Sequence, residues 1–337
     1  MESNLFYKSM LDWYQIDKRS LPFRDVNDPY KIWLSEIMLQ QTKVSTVIPY
    51  YERWISKYPN ISSVASSNLE DLLKMWEGLG YYSRCRNFHE ASKVICKQYN
   101  GFIPEDWASF ISLPGVGEYT ASAVLSIAFG KKYAVLDGNV KRVMFRQLGF
   151  KKSSIYNINR VKNKLKKLIP DLKPGDFNQS LMDLGATICF PRNPKCDNCP
   201  ISRTCIGLKN GKPQDYPTKN KKLVVPEYHF VSGLLWFGEK FLIKKREENL
   251  MLGGLWEIPN FKINVKDKPR LSFIKKVKKE LSLDVQTKKK LGVIKHKYSH
   301  FSVVVSVYAC KIMNKQFFNK EKQKLILPIE IPSYPFS

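Results

Sequence analysis

Residues 113–130 read LPGVGEYTASAVLSIAFG, and the first five of them decide how the chain around them folds. Pro114, Gly115 and Gly117 interrupt any helix running through Leu113-Pro114-Gly115-Val116-Gly117, whereas EYTASAVLSIAF carries apolar residues at helical spacing. Its many small residues let a second helix approach closely. A Pro-Gly-x-Gly turn at a helix start offers backbone N–H groups unobstructed by side chains, next to the positive helix end. That arrangement holds a phosphate without reading sequence. A tight turn between two packed helices uses the same glycines for no purpose beyond the turn.

Downstream, four cysteines follow as Cys189-x6-Cys196-x2-Cys199-x5-Cys205. Four thiolates so close in sequence can close around one metal centre. The six-residue first loop suits a cuboidal iron–sulfur cluster better than the paired C-x2-C knuckles usual for zinc, although zinc remains open from spacing alone. Disulfides fit poorly, since Cys85, Cys96 and Cys310 are scattered and no secretory signal precedes them.

The 337 residues are 43% hydrophobic, enough for two or three domains. Lys and Arg number 56 against 30 Asp and Glu, a formal net charge of +26. Such a charge points to a polyanion, most simply nucleic acid, although a composition rich in Lys, Asn, Ile and Tyr offers a bland source. The cations cluster: residues 151–168 hold seven and no acids, and residues 261–298 hold thirteen against three acids. Either run also fits a solvated face. No apolar stretch is long enough to span a membrane, and a reducing cytoplasm is the expected compartment; a monomer is expected. Beside this charge and the cysteines, residues 113–129 read as a helix–hairpin–helix DNA clamp with Gly115, Val116 and Gly117 at the phosphate.

Helical spacing dominates residues 1–205, in segments 30–44, 68–76, 84–99, 105–112, 118–129 and 138–148. Residues 207–226, with three Pro and two Gly, read as a linker. HFVSGLLWF, KFLIKKR, LWEIPNF and HFSVVVSVYAC then read as strands, with a helix around 272–282. On the helix YKIWLSEIMLQQT, Glu36 shares a face with Ile32, Trp33, Leu39 and Gln40. A carboxyl there loses hydration, its neutral form gains, and it can act as a general acid. A Glu that points outward or pairs with an unseen Arg is the plain alternative. Asp137 precedes a helix as its N-cap, where backbone N–H groups are expected to keep it ionised. Taken alone, Asp137 reads as a purely structural cap. Two carboxyls in contrasting environments are the usual acid and anion of glycosyl transfer.

WLSEIMLQQT, WEGLGYYSR, LPGVGEYTASAVLS, LDGNVKRV and the spaced cysteines together closely resemble the adenine DNA glycosylases of the MutY family, and the likeness resumes at GGLWEIP and YSHF. The resemblance implies a multidomain chain. An all-α helix–hairpin–helix glycosylase region would span 1–206, with a six-helix barrel at about 27–133 and a cluster domain at about 1–26 plus 134–206. An α/β Nudix-like lesion-recognition domain would span 227–337. It implies a 4Fe–4S cluster on Cys189, Cys196, Cys199 and Cys205, and double-stranded DNA with A:8-oxoguanine or A:G mispairs as partner. Adenine would be flipped out of the duplex. Glu36 would protonate its N7, Asp137 would stabilise the oxocarbenium-like sugar, and Tyr119 and Asn139 would support them. Gln41, Thr42, Leu79 and Tyr81 match DNA-contacting positions near the opposing base, with core packing as the alternative for Leu79. Ser299 and His300 would read 8-oxoguanine. KKVKKELSLDV offers only Glu280 and Asp284 where metal-dependent Nudix hydrolysis needs a set of carboxylates. Relatives that cut the DNA backbone carry a lysine where this chain has Tyr119, so a monofunctional enzyme is expected. The alternatives are an endonuclease III-like glycosylase/lyase acting on damaged pyrimidines, a non-catalytic DNA-binding protein and a Nudix hydrolase.

Overall fold

The computed structural model describes residues 3–218, 225–248, 250–298, 300–314 and 321–337. The chain divides into two compact units, Met1–Ser67 with Arg84–Lys221, and Asn68–Ser83 with Lys222–Ser337.

The helices in chain order are α1 (Ser3–Asp17), α2 (Pro29–Leu39), α3 (Val44–Lys57), α4 (Ile61–Ala65), α5 (Leu69–Trp76), α6 (Ser83–Gln98) and α7 (Trp107–Ile111). They continue as α8 (Glu118–Phe129), α9 (Gly138–Leu148), α10 (Ile155–Leu168), α11 (Pro174–Thr187) and α12 (Ile206–Lys209). Apart from α5 they build the first unit. Asp28 caps α2 by accepting from the Tyr30 and Lys31 amides, and Pro29 supplies a preset φ at the first helical position. The expected helix 30–44 instead ends at Leu39 and resumes as α3, because Gln41 turns into the left-handed region (φ 56°). Trp33 of α2 packs edge-on to Phe88 of α6 (4.8 Å) and Phe110 of α7 (5.3 Å). A second core joins α1, α9, α10 and α11 through Phe6, Met10, Phe145, Leu165, Phe177 and Leu181. Gly185 of α11 lets α9 come close, since a side chain there would stand 2.6 Å from Asn139 Cβ.

The stretch read as a linker begins folded. Residues 206–209 form α12, Tyr216 is buried, and Thr218 donates to the Lys151 carbonyl at 2.9 Å. Arg146 explains this, because its buried guanidinium donates to the Tyr216 carbonyl and ties a polar segment to α9.

The second unit holds a mixed sheet of β1 (Glu227–Phe237), β2 (Lys240–Lys245), β3 (Trp256–Glu257), β4 (Asn260–Ile263), β5 (Val285–Lys297), β6 (Ser302–Ile312) and β7 (Gln323–Ile326). The order is β3-β2-β1-β6-β5, with β4 paired to β1 and β7 to β2; among these strand pairs only β1 and β6 run parallel. Helix α13 (Pro269–Leu281) covers it with Phe273 and Val277. Gly233 of β1 makes the room, for a Cβ there would lie 2.3 Å from the Phe273 ring. β5 escaped the sequence reading because it is a lysine-rich edge strand, exposed along most of its length.

Candidate active site

Glu36 lies on the buried side of α2 with 4% of its surface exposed. Its Oε2 accepts a hydrogen bond from the Tyr119 hydroxyl at 2.6 Å. Burial pushes the Glu36 carboxyl above its ordinary pKa; the Tyr119 bond and the Arg24 charge oppose the shift, and the nearby Asp137 charge adds to it. Burial also holds the Tyr119 phenol well above its usual value, and Glu36 reinforces this. Glu36, Tyr119 and Asp137 therefore share one electrostatic environment, brought together from α2, α8 and the start of α9.

Asp137 caps α9, its Oδ1 accepting from the Val140 amide at 2.6 Å and its Oδ2 from Asn139 Nδ2 at 3.1 Å. The cap does not act alone on this carboxyl. Burial raises it, while the Val140 and Asn139 bonds and the Arg142 charge oppose the rise. Both carboxyls thus shift upward and each feels a nearby arginine, but Asp137 accepts from both Val140 and Asn139, whereas Glu36 accepts from Tyr119. Arg142 orients the support, donating to Asn139 Oδ1 (2.9 Å), the Gly185 carbonyl (2.6 Å) and the Cys189 carbonyl (2.8 Å).

Sequence reasoning missed the arginines behind this group. Arg24 donates to Gln179 Oε1 and, at 2.9 Å, to the fully buried Asp183, which also receives Arg19 at 2.5 Å. Asp183 and Gln179 are buried on α11, and the sequence around them does not mark that burial.

Gln41 is exposed and Thr42 half-buried at the end of α2. Arg84 fixes that end. Its Nη1 donates to the carbonyls of Ile37, Met38 and Gln40 at 2.6–2.8 Å, satisfying groups the helix terminus leaves open, and Nη2 donates to Thr42 Oγ1 at 3.2 Å. In the hairpin Gly115 has φ 76° and faces Asn87, where a Cβ would stand 2.5 Å away. Gly115 and Gly117 are exposed, Val116 is half-buried, and Gly117 is the N-cap of α8.

Cys189, Cys196, Cys199 and Cys205 line one cavity together with Val143, Leu184, Ile188 and Arg146. Arg146 Nη1 donates to Cys189 Sγ at 3.1 Å. Burial raises the Cys196 and Cys205 thiols and pushes Cys199 up to about 12, so thiolates here need a cationic partner. Among the described residues no three His, Cys, Asp or Glu side chains form a group that could hold a single metal ion.

In the second unit Tyr81 is 42% exposed, with φ 49°, whereas Leu79 is buried, as its core-packing alternative had it. Between β5 and β6 the Tyr298 amide donates to the Phe301 carbonyl at 2.8 Å. Tyr298 packs against His296 and Phe301, and His300 is exposed. Ser299 lies outside the described residues. Glu280 and Asp284 each face a lysine, Lys276 and Lys278. No helix among the described residues is long and apolar enough to cross a membrane.

The family model of HhH-GPD superfamily base excision DNA repair proteins matches residues 34–171, and a NUDIX domain model matches residues 231–337. Over 324 residues the chain is 36% identical to an adenine DNA glycosylase of Buchnera aphidicola subsp. Schizaphis graminum, covering 94% of this chain and 91% of that protein. The chain belongs to the adenine DNA glycosylase family. The human adenine DNA glycosylase is 32% identical over 365 residues, covering 91% of this chain and 67% of that protein. A solved thermostable thymine-DNA glycosylase superposes with a TM-score of 0.58 at 33% identity, over 62% of this chain and 97% of that one. A trapped endonuclease III–DNA covalent intermediate has the same fold (TM-score 0.53, 24% identity), over 63% of this chain and all of that one. As an adenine DNA glycosylase, the protein is a base-excision-repair enzyme that cleaves the N-glycosidic bond of adenine in DNA.

Proposed function

We propose that this adenine DNA glycosylase removes adenine mispaired with 8-oxoguanine or guanine, and that it releases the base without cutting the strand. The observation that carries this reading is the 2.6 Å bond from Tyr119 to Glu36 beside Asp137. The residue at the lyase-lysine position is a phenol committed to the acid, and a phenol cannot form an imine with the sugar.

The chemistry follows from the two carboxyls. Burial keeps a proton on Glu36, which passes to N7 of the flipped adenine as the glycosidic bond breaks and its electrons return to the base. The Asp137 carboxylate, supported by Val140, Asn139 and Arg142, faces the positive charge that grows on the sugar. Water then adds to the sugar, its proton passes to the Glu36 carboxylate, and an abasic site is left. Gly115, Val116 and Gly117 hold a backbone phosphate at the start of α8, Gln41, Thr42 and Tyr81 meet the duplex near the opposing base, and Ser299 and His300 read 8-oxoguanine.

The all-cysteine donor set and its shared cavity fit a 4Fe–4S cluster on Cys189, Cys196, Cys199 and Cys205. Such a cluster would supply positive charge to the buried thiolates, and Cys189, Cys196, Cys199 and Cys205 would hold it and so staple residues 189–205. Anaerobically prepared protein is expected to hold iron and no stoichiometric zinc.

The test compares A:8-oxoguanine, A:G, T:G and oxidised-pyrimidine duplexes, with borohydride trapping and with nicking scored before alkali. Adenine release on the first two, fastest opposite 8-oxoguanine, with nicks only after alkali and no trapped adduct, is the expected result. Nicking as fast as base release would overturn the monofunctional reading, and equal release from T:G or oxidised pyrimidines would overturn the substrate.

A further inference from the structure

Residues 68–83 lie within the sequence matched to the HhH-GPD superfamily, yet they pack with residues 222–337. The reason is visible in α5. Helical spacing sets Glu70, Lys74 and Glu77 at i, i+4 and i+7, along one face. Lys245 Nζ of β2 stands 2.6 Å from Glu70 Oε1. Lys74 Nζ donates to the Tyr334 carbonyl at 3.0 Å, and Glu77 Oε1 accepts from the Phe336 amide at 3.1 Å. Lys74 and Glu77 are also joined to each other at 2.5 Å.

These contacts complete a strand. In extended chain the N–H and C=O groups of successive residues alternate between two edges. On one edge of residues 334–337, the Trp256 amide donates to the Pro335 carbonyl at 2.8 Å and the Ser337 amide to the Trp256 carbonyl at 2.9 Å. The other edge presents the Tyr334 carbonyl and the Phe336 amide, which a neighbouring strand would ordinarily satisfy. An i, i+3 lysine–glutamate pair on a helix takes that strand's place. Packing agrees: Tyr334 stacks edge-on to Trp256 at 5.5 Å, and Leu73 comes within 3.8 Å of the position a side chain on Gly254 would take.

Glu77 is the C-cap of α5 and the last residue before the loop Gly78-Leu79-Gly80-Tyr81. The loop is fixed to its own base, since Trp76 Nε1 donates to the Gly80 carbonyl at 3.0 Å and the Gly78 amide to Tyr82 Oη at 3.1 Å. Where Glu77 is held, the loop and its exposed tyrosine are held.

We propose that Glu70, Lys74 and Glu77, gripped by Lys245 and by the backbone of residues 334–336, are positioning residues through which the C-terminal domain sets where Tyr81 stands. The grip makes reading of the opposing base and probing of the duplex one event. It rests on the reading that Tyr81 enters the duplex beside that base.

The test uses the full chain carrying Glu70→Lys, Lys245→Glu, or both, with Tyr81→Ala as reference. The readouts are the ratio of single-turnover rates on A:8-oxoguanine and A:G duplexes, and the fluorescence of 2-aminopurine next to the 8-oxoguanine. Each single exchange is expected to lower the ratio and the fluorescence change about two- to fivefold, the range of a partly exposed ion pair, and the double exchange to restore both. Glu77→Ala is expected to act in the same direction. A purely structural contact would lower the melting temperature and leave the ratio unmoved, and that result overturns the proposal. Singles at wild-type values, or a double that restores nothing, also overturn it, provided Tyr81→Ala abolishes the fluorescence change. If Tyr81→Ala changes neither readout, the reading of Tyr81 itself fails.

Discussion

Glu36 sits inside the helical unit with 4% of its surface exposed, whereas His300 stands in the open at the turn between β5 and β6. The groups around Glu36 are already engaged: Tyr119 bonds it, Asn139 and Val140 bond Asp137, and Arg142 braces Asn139. At the hairpin tip, by contrast, the rings of Tyr298, Phe301 and His296 pack on one another and leave the His300 side chain exposed. Proton transfer needs a dry site whose dipoles are set before the reaction, because reorganising them at the transition state adds to the barrier. Reading a base needs donors and acceptors that DNA can reach. On the proposed reading, one region bears a burial penalty in exchange for reactivity, and the other keeps a side chain exposed for DNA to reach.

Substitutions in the two regions should therefore fail differently. Asp137→Asn removes the anion and keeps an amide that can still cap α9, so single-turnover adenine release should fall about 100- to 1,000-fold while duplex binding persists. Loss of binding in parallel with rate would mean that the residue serves as a cap alone. Ser299→Ala with His300→Ala should leave release from A:G near wild type and reduce the preference for A:8-oxoguanine about tenfold, the worth of one or two hydrogen bonds. An unchanged preference would give the hairpin tip another task.

The smallest effects are shifts along the pH axis. The Tyr119 hydroxyl favours the charged form of Glu36, so Tyr119→Phe should raise the Glu36 pKa further. Excision needs the protonated acid, and its alkaline limb should move to higher pH. The Asn139 side chain favours the charged form of Asp137, so Asn139→Ala should raise that pKa and move the acid limb upward. An acid limb moved by Tyr119→Phe, together with an alkaline limb moved by Asn139→Ala, would exchange the roles of the two carboxyls.

The candidate acid, cap and cysteines were legible because they are written in local patterns. An acid among Ile32, Trp33 and Leu39 on a helical period is conspicuous, a cap before Gly138 is local, and the cysteine spacing needs no fold. The supporting groups are not local. Arg24 meets Asp183 across 159 residues, and nothing in the sequence near Asp183 distinguishes it from a solvent-facing acid. β5 was hidden by its own lysines, the residues that protect an exposed edge. β7 and residues 334–337 were silent for a related reason: their pairing with β2, Trp256 and α5 is specified by the partners. The upward shift at Asp137 was missed because helix capping is visible in sequence and depth of burial is not.

The central claim is that a buried, protonated Glu36 delivers the proton that makes adenine leave. Glu36→Gln preserves shape and packing but has no acidic proton to give. On an A:8-oxoguanine duplex, single-turnover adenine release by this variant should fall about 100- to 10,000-fold, with duplex affinity within a factor of about two of wild type. Release at a rate close to wild type would contradict the account and leave the acid to be found elsewhere in the site.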